Sequence, residues 1–310
     1  MCHETERSDQ VALARTTGAR GGPRALRWAP YLLISPTVLL IAVFLVYPIG
    51  SVLYYSLQHY NLTKPWANGF AGLENFREML FEDPLFWSSL AFTAKWVVVE
   101  IGLQLLLGLA LALIVNESFI GRGLARSLVF SPWAVSGVLT TGIWILLYNP
   151  TTGIVRYLGA PEAAVLGNPD TVFGAVVLTE LWRGVPFFAI LLLAGLQGIP
   201  GELYEAAAVD GAGRVRRFAH VTLPHLRDAI VLATLLRSVW EFNNVDLLYT
   251  LTGGGPAQVT TTLPLYVAQR AIDSKDFGYG SALTTAGFLI LLFCSLLYLR
   301  LSRFGADHKG

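Results

Sequence analysis

Charge is what this chain has least of. Across 310 residues only 14% are Asp, Glu, Lys or Arg, while 54% are hydrophobic; a soluble domain carries about 25% charged residues. So few charges cannot cover the surface of a soluble protein of this length. A disordered chain is excluded as well, because disorder needs low hydrophobicity and high charge. The two cysteines, Cys2 and Cys294, cannot build a disulfide framework, and one sits in a polar tail while the other sits in an apolar run. A net charge of +1 gives no reason to expect nucleic acid as a partner. The five histidines, His3, His59, His220, His225 and His308, have no metal-ligand spacing. There is no triad or nucleophile motif, so an enzyme is not expected. None of the lysines, Lys64, Lys95, Lys275 and Lys309, stands in a Gly-x-x-x-x-Gly-Lys-[Ser/Thr] phosphate loop.

Long apolar runs are abundant. A helix crossing about 30 Å of hydrocarbon needs about 20 mostly apolar residues. Six segments qualify: about Pro30–Leu57, Phe86–Val115, Leu124–Tyr148, Thr171–Leu196, Leu226–Leu251 and Ser281–Leu301. They are continuous and rich in Leu and Ala, not the alternating ten-residue stretches of a membrane barrel. The expected fold is therefore an all-α integral membrane protein with six transmembrane helices. The first run is too long for a signal-peptide core and lacks a clear cleavage site, so it reads as a retained anchor.

Basic residues orient the spans, since cytoplasmic loops collect Lys and Arg. Arg7, Arg15, Arg20, Arg24 and Arg27 precede the first span. Arg122 and Arg126 follow the second; Arg214, Arg216, Arg217 and Arg227 follow the fourth; Arg300, Arg303 and Lys309 close the chain. The opposite side holds fewer: Lys64, Arg77, Arg156, Arg270 and Lys275. Both termini are expected in the cytoplasm. Residues 1–29 read as a flexible cytoplasmic tail, and residues 30–310 as the six-span domain.

The longest cytoplasmic interruption is Gln197–His225. Pro200 and Glu202 suit a helix start, and Leu203, Tyr204, Ala207 and Ala208 share one helical face. Gly211 and Gly213 then break the helix. A second short helix over Arg214–His220 is expected to end before Pro224. The alanines permit close approach of another surface, and Glu205 and Asp210 offer it carboxylates. An ordinary interfacial loop remains open on these grounds alone.

The spacing adds to this reading. Glu205-Ala206-Ala207, then Gly211, then nine residues and Val221-Thr222-Leu223-Pro224 closely resembles the Glu-Ala-Ala signature of ABC importer permeases, departing only by Val for an Ile-like residue. Phe242-Asn243-Asn244 through Gly253-Gly254-Gly255-Pro256, Phe277-Gly278-Tyr279-Gly280-Ser281-Ala282, Tyr47-Pro48 and Gly72-Leu73-Glu74-Asn75-Phe76 resemble the carbohydrate-uptake branch of that family. The resemblance runs from about Pro30 to Arg303. It implies a type I importer permease in a bacterial inner membrane, forming half of a pore with a second, different permease subunit. Two ATPase subunits would bind ATP and Mg beneath, with no cofactor in this chain, and an extracytoplasmic binding protein would deliver a sugar or polyol. The loop 198–224 would be the coupling element, with Glu202, Glu205, Ala206, Ala207, Asp210, Gly211, Leu223 and Pro224 engaging an ATPase.

A few charges fall inside spans, where each costs about 2.5–3.5 kcal/mol and reads as functional by default. Glu180 and Arg183 are i, i+3 in the fourth span; Arg237 and Glu241 are i, i+4 in the fifth. Counted along their spans, the two pairs reach similar depths and suggest a polar cavity. Pro186 and Gly184 are expected to loosen the backbone beside it. Trp182, Phe187 and Trp240 are suited to stack on sugar rings. Internal salt bridges between packed helices are the other reading of the same four charges. In the permeases this chain resembles, the corresponding parts of these two spans line the path. That implies substrate contacts at Glu180, Arg183, Gly184, Phe187, Arg237, Trp240, Glu241 and Asn244. In the second span, Lys95 is placed to snorkel outward, and Glu100 and Gln104 share a face that serves packing or meets the partner permease. An ion-coupled secondary transporter would also explain buried charges but not the loop spacing, and a glycerol-phosphate permease would look the same at this level.

Overall fold

The computed structural model describes residues 25–157 and 165–302. Most of the tail 1–29, including Arg7, Arg15, Arg20 and Arg24, lies outside the described residues, as do Cys2, His3, Arg303, His308 and Lys309. The chain divides after Ser51. The first unit is built on helix α1, which runs as Ala25–Ile41, a π-helical turn Ala42–Val46, and Tyr47–Ser56. Pro48 explains the wide turn: it has no N–H, and its ring crowds the carbonyl four residues back, at Phe44. Pro30–Gly50 is exposed throughout. A helix that is apolar on every side suits hydrocarbon or another helix.

In the second unit a short antiparallel hairpin, β1 (Gln58–His59) and β2 (Gly69–Phe70), places Gln58 opposite Phe70. The helices follow in order: α2 (Glu74–Phe81), α3 (Pro84–Asn116), α4 (Arg122–Phe130), α5 (Gly137–Leu147), α6 (Pro169–Gln197), α7 (Gly201–Val209) and α8 (Arg214–Arg217). After these come α9 (Leu223–Phe242), α10 (Asp246–Leu251), α11 (Leu263–Ala268) and α12 (Phe277–Ser302). The long helices start on recognisable caps. Asp83 accepts the backbone N–H of Leu85 at 2.9 Å and of Phe86 at 3.3 Å, with Pro84 in the first turn. Asn168 accepts the N–H of Asp170 at 2.9 Å, followed by Pro169. An acceptor and then a proline suit the first turn, whose N–H groups have no helical partner.

Among the described residues, Pro30–Ser56, Pro84–Asn116, Pro169–Gln197 and Phe277–Ser302 are long and apolar enough to cross a membrane. They coincide with the first, second, fourth and sixth expected spans to within a few residues. The other two expected spans are not continuous. The third, expected from Leu124 to Tyr148, is α4, a 3-10 turn Ser131–Ala134, and α5, with its halves at 97°. Pro132 stops regular helix, Val135 is extended, and Ser136 recaps by accepting the N–H of Leu139 at 3.4 Å. The fifth, expected from Leu226 to Leu251, stops at Phe242 and resumes at Asp246. Its longer part, α9, carries Arg227, Asp228, Arg237 and Glu241, so apolar composition alone does not mark it as a span.

Two local expectations are corrected. Pro224 does not follow a helix end: α8, a π turn Phe218–Thr222 and α9 succeed one another without a gap. Pro224 lies in the first turn of α9, and the wide turn holds His220, whose carbonyl the proline ring would crowd. Pro186 does not open the backbone either, since α6 continues through it. Gly184 instead sets the spacing between helices. A Cβ there would lie 2.5 Å from the side-chain amide of Gln104 on α3. One on Gly108 of α3 would lie 3.1 Å from the backbone nitrogen of Ala189 and 3.2 Å from the carbonyl of Val185 on α6. The two glycines let α3 and α6 close together at the level of Glu180. Buried Trp96, Val172, Val176, Phe188, Leu192 and Leu226 form the core along this seam.

Candidate functional site

The four charges expected at mid-span meet in one network. Arg237 of α9 is its centre. Its Nη2 pairs with Glu180 of α6 and lies 3.2 Å from Oε2 of Glu241, while its Nε donates to Oε1 of Gln104 at 2.8 Å. Arg183 Nε lies 3.4 Å from Oε1 of Glu180. Glu241 Oε1 also accepts the indole N–H of Trp96 at 2.9 Å and the Asn244 amide at 3.2 Å. Gln104 Nε2 donates to Glu100 at 3.0 Å. Glu100, Gln104 and Glu180 are wholly buried, and Glu241 and Arg237 nearly so. The sequence reading paired Glu180 with Arg183 and Arg237 with Glu241. The structure links the pairs through Arg237 and adds α3 as a third wall. A surface for Glu100 and Gln104 to meet another subunit is ruled out by their burial within this chain. Their i, i+4 spacing on an apolar helix was the signal; what it could not supply was the partner across 133 residues of sequence.

A cavity of about 540 Å³ opens on this network. Arg183, Arg237, Glu241, Trp240 and Asn244 line it, together with Val239. Trp133 and Val135 come from the break between α4 and α5, and Asn243 from the break between α9 and α10. Trp133 was not singled out from sequence, and Asn243 was named only within the Phe242-Asn243-Asn244 stretch, because each belongs to a break in a run read as continuous. Glu180, Gly184 and Phe187 stand behind the lining: Glu180 fixes both arginines, Gly184 admits Gln104, and Phe187 supports Trp240 with ring centroids 5.2 Å apart. Trp182, Phe187 and Trp240 do not form one platform. Trp182 packs edge-on against Trp144, with centroids 6.4 Å apart. Arg183 reaches the start of α5, where Gly137 leaves the room: a Cβ there would lie 2.7 Å from its Nη1. Non-helical backbone beside buried charge, around a cavity, is the arrangement tolerated within a membrane.

The polar loop forms the expected helix-turn. α7 ends at Val209 with Asp210 as its C-cap, Gly211 takes φ +75, Gly211 N–H bonds Ala208 O at 3.0 Å, and Ala212 N–H bonds Ala207 O at 2.9 Å. These two bonds are the Schellman closure, which needs a left-handed residue at the turn. No residue of α7 is buried; Glu202, Glu205, Ala206, Asp210 and Gly211 are exposed, as are Leu223 and Pro224 beyond, and Ala207 is partly covered. Tyr204 and Thr222 hydroxyls meet at 3.0 Å, tying α7 to the base of α9.

Among the remaining candidates, Lys95 sets its Nζ 3.9 Å over the ring of Phe173. Ala282 is buried, and a Cβ on Gly278 would reach the backbone of Gln58 and Tyr60, so these small residues serve close packing. Gly253 and Gly254 hold left-handed turns, and Gln269 Nε2 bonds the Gly253 carbonyl at 3.0 Å.

Comparison with known proteins places this geometry. Residues 104–304 match the family described as "Binding-protein-dependent transport system inner membrane component". The "Trehalose/maltose transport system permease protein MalF" of Thermococcus litoralis is 37% identical over 281 residues, covering 89% of this chain and 94% of that protein. The "Sulfoquinovosyl glycerol transport system permease protein SmoG" of Agrobacterium fabrum is 35% identical over 292 residues, covering 91% of this chain and 94% of that protein. A chain of a bacterial ABC transporter that imports the acidic polysaccharide alginate has the same fold, with a TM-score of 0.73 at 21% identity, over 89% of this chain and 95% of that one. The chain therefore belongs to the family of binding-protein-dependent transport system inner membrane components.

Proposed function

We propose that this chain is one permease subunit of an ATP-driven ABC importer, forming half of the translocation path for a sugar or related polyol. The observation that carries the coupling half of this reading is α7. Every one of its residues is left unburied by this chain, and the Schellman turn fixes its angle to α8. A preformed helix of this kind is ready to enter a groove on an ATPase subunit through Glu202, Glu205, Ala206, Ala207, Asp210 and Gly211, with Leu223 and Pro224 carrying the movement into α9. The helix rod from α8 to α9 then links that surface directly to Arg237, Trp240, Glu241 and Asn244. Closure of the ATPases on ATP and Mg would tilt this rod and change access to the cavity. Six spans, with the broken third and fifth counted as crossings and both termini in the cytoplasm, put α7 on the ATPase side. The complex would comprise a second, different permease, two ATPase subunits and an extracytoplasmic binding protein. A bacterial alginate ABC transporter with a chain of the same fold was solved in complex with an alginate pentasaccharide-bound periplasmic protein.

The arrangement suits a polyhydroxyl ligand. Guanidinium and amide groups donate to hydroxyls, carboxylate and amide oxygens accept from them, and the opposed charges of the wall leave no strong preference for an ionic solute. Uptake by the reconstituted complex should require ATP and survive collapse of the ion gradient; uptake with the reverse dependence would assign the chain to ion-coupled transport. Arg183→Ala and Glu241→Ala should lower uptake while the complex still assembles. Unchanged uptake in both would remove these residues from the path.

A further inference from the structure

The short helix α2 presents three surfaces, and this chain accounts for two of them. Its inner face carries Asn75 and Met79, both buried. Met79 packs with Phe86, Leu263, Tyr266 and Tyr279, and the Asn75 amide donates to Ser56 O at 3.0 Å and to Gln58 O at 2.9 Å. These contacts fix the roll of the helix. A second face carries Glu74 and Glu78, both exposed. Glu74 lies 3.0 Å from His59, and Glu78 lines a polar cavity of about 280 Å³ with Lys64, Asn68 and Asp276. That side suits water.

The third face is apolar and open. Leu73, Arg77 and Leu80 stand at i, i+4 and i+7, which makes one stripe, and Phe81 extends it. Leu73 is 71% exposed and Phe81 81%, and Leu80 is exposed as well. The stripe continues past both ends of the helix. The exposed ring of Phe70 lies beside its start, where a Cβ on Gly72 would come within 3.7 Å of it. Trp87, at the start of α3, donates its indole N–H to Leu80 O at 3.0 Å and leaves half its surface open. An exposed apolar surface of this extent calls for an occupant.

α3 indicates which one. At 1.5 Å per residue its 33 residues run about 50 Å, against about 30 Å of hydrocarbon, so its first turn reaches the headgroup layer. Tryptophan and basic residues gather at that level. Arg77 is set within the apolar stripe, its side chain 75% exposed and its Nε 4.0 Å from Glu82, too far for a hydrogen bond. Its stem can lie along the apolar surface while the guanidinium meets phosphate oxygens.

We propose that Phe70, Leu73, Arg77, Leu80, Phe81 and Trp87 form an interfacial anchor that lays α2 in the phospholipid headgroup layer where α3 begins. The test uses the complete complex in phosphatidylcholine–phosphatidylglycerol vesicles, cysteine-free apart from one labelled site, with Cys2 and Cys294 replaced by serine. Nitroxides are placed at Leu73→Cys, Leu80→Cys, Glu78→Cys and Val98→Cys, all exposed positions, so the packed face of α2 stays intact. Their relaxation is read with oxygen, which concentrates in lipid, and with a nickel chelate, which stays in water. The labels at Leu73 and Leu80 should meet oxygen several times more often than nickel, and the label at Glu78 the reverse. Nickel contact at Val98, within α3, would overturn the span on which the anchor rests. With Val98 shielded, nickel contact at Leu73 and Leu80 equal to that at Glu78 overturns the anchor alone; its loss on adding binding protein would make that protein the occupant. Little contact with either reagent at Leu73 and Leu80 also overturns the anchor, because another protein surface would then cover the stripe.

Discussion

Replacing Arg237 by glutamine tests whether the buried network is held by charge. Its side chain is 5% exposed, and it faces two carboxylates that are wholly covered. Removing one partner of a buried ion pair costs about 3–5 kcal/mol, because the other charge is left uncompensated. For a chain of this size that corresponds to a loss of about 10 °C in the melting temperature of the purified complex. The two carboxylates should not suffer equally. Glu180 keeps Arg183 at 3.4 Å. Glu241 keeps only neutral donors, the Trp96 indole at 2.9 Å and the Asn244 amide at 3.2 Å. Neutralising Glu241 in the Arg237→Gln background should therefore recover more stability than neutralising Glu180. The assay is thermal unfolding of the single variants and of the two double variants in the same detergent, read as double-mutant cycles. Two results would refute the reasoning. A loss under 1 kcal/mol for Arg237→Gln would mean that water reaches and screens the site. Equal or greater recovery through Glu180 would mean that Arg183 does not compensate it.

Two further predictions address other parts of the chain. Gly211 holds φ +75, so Gly211→Pro should break the turn between α7 and α8, and Glu205→Lys should reverse the charge offered by α7. Each should abolish ATPase-coupled uptake while leaving the spans folded, measured as uptake per ATP hydrolysed beside circular dichroism; wild-type coupling in both would reject the docking role. Asp83 accepts from the Tyr266 and Tyr279 hydroxyls at 2.5 Å each. Burial raises its carboxyl's pKa, but these bonds and those from the Leu85 and Phe86 N–H groups outweigh it and hold the value below the ordinary range. A lowered folded pKa means that the stabilisation is present above the ordinary value of about 3.9 and is lost as pH falls through the folded value. Asp83→Asn should be less stable than wild type at neutral pH, with the gap closing on acidification; a gap constant down to pH 3 would show that the carboxylate's charge is not what holds the two tyrosines.

How far the sequence reaches depends on the physical range of each signal. Hydropathy averages over a window of about one membrane thickness, so it located the four unbroken spans to within a few residues. It also smoothed over the two breaks, at Ser131–Ser136 and Asn243–Val245, because each is short against a membrane-wide window and is averaged with its neighbours. Proline misled in both directions. Pro132 ends regular helix, whereas Pro186 lies inside α6 without interrupting it and Pro224 begins α9 after a widened turn. The ring's clash is local, and whether a helix stops or yields is decided by what packs around it. At Pro186 the neighbours Val185, Phe187 and Phe188 are all buried.

The loop signature was legible because its physics is short-ranged: a left-handed glycine two residues past a short helix closes the turn whatever surrounds it. The cavity was only half legible, for the opposite reason. Helical spacing put Glu180 with Arg183, and Arg237 with Glu241, but spacing carries no information across helices. That Arg237 would also reach Glu180, and that Gln104 would approach from α3, depends on Gly108 and Gly184 drawing α3 and α6 together. From sequence, Gly184 reads as a loosened turn and a substrate contact, and Gly108 carries no signal. In the fold they serve the reverse purpose, since the close approach they permit immobilises the one guanidinium shared by three helices. The scarcity of charge thus acquires a structural meaning. With so few ionisable groups inside the spans, the bilayer cost of each is met only by gathering them, and the place where they gather is where the helices open.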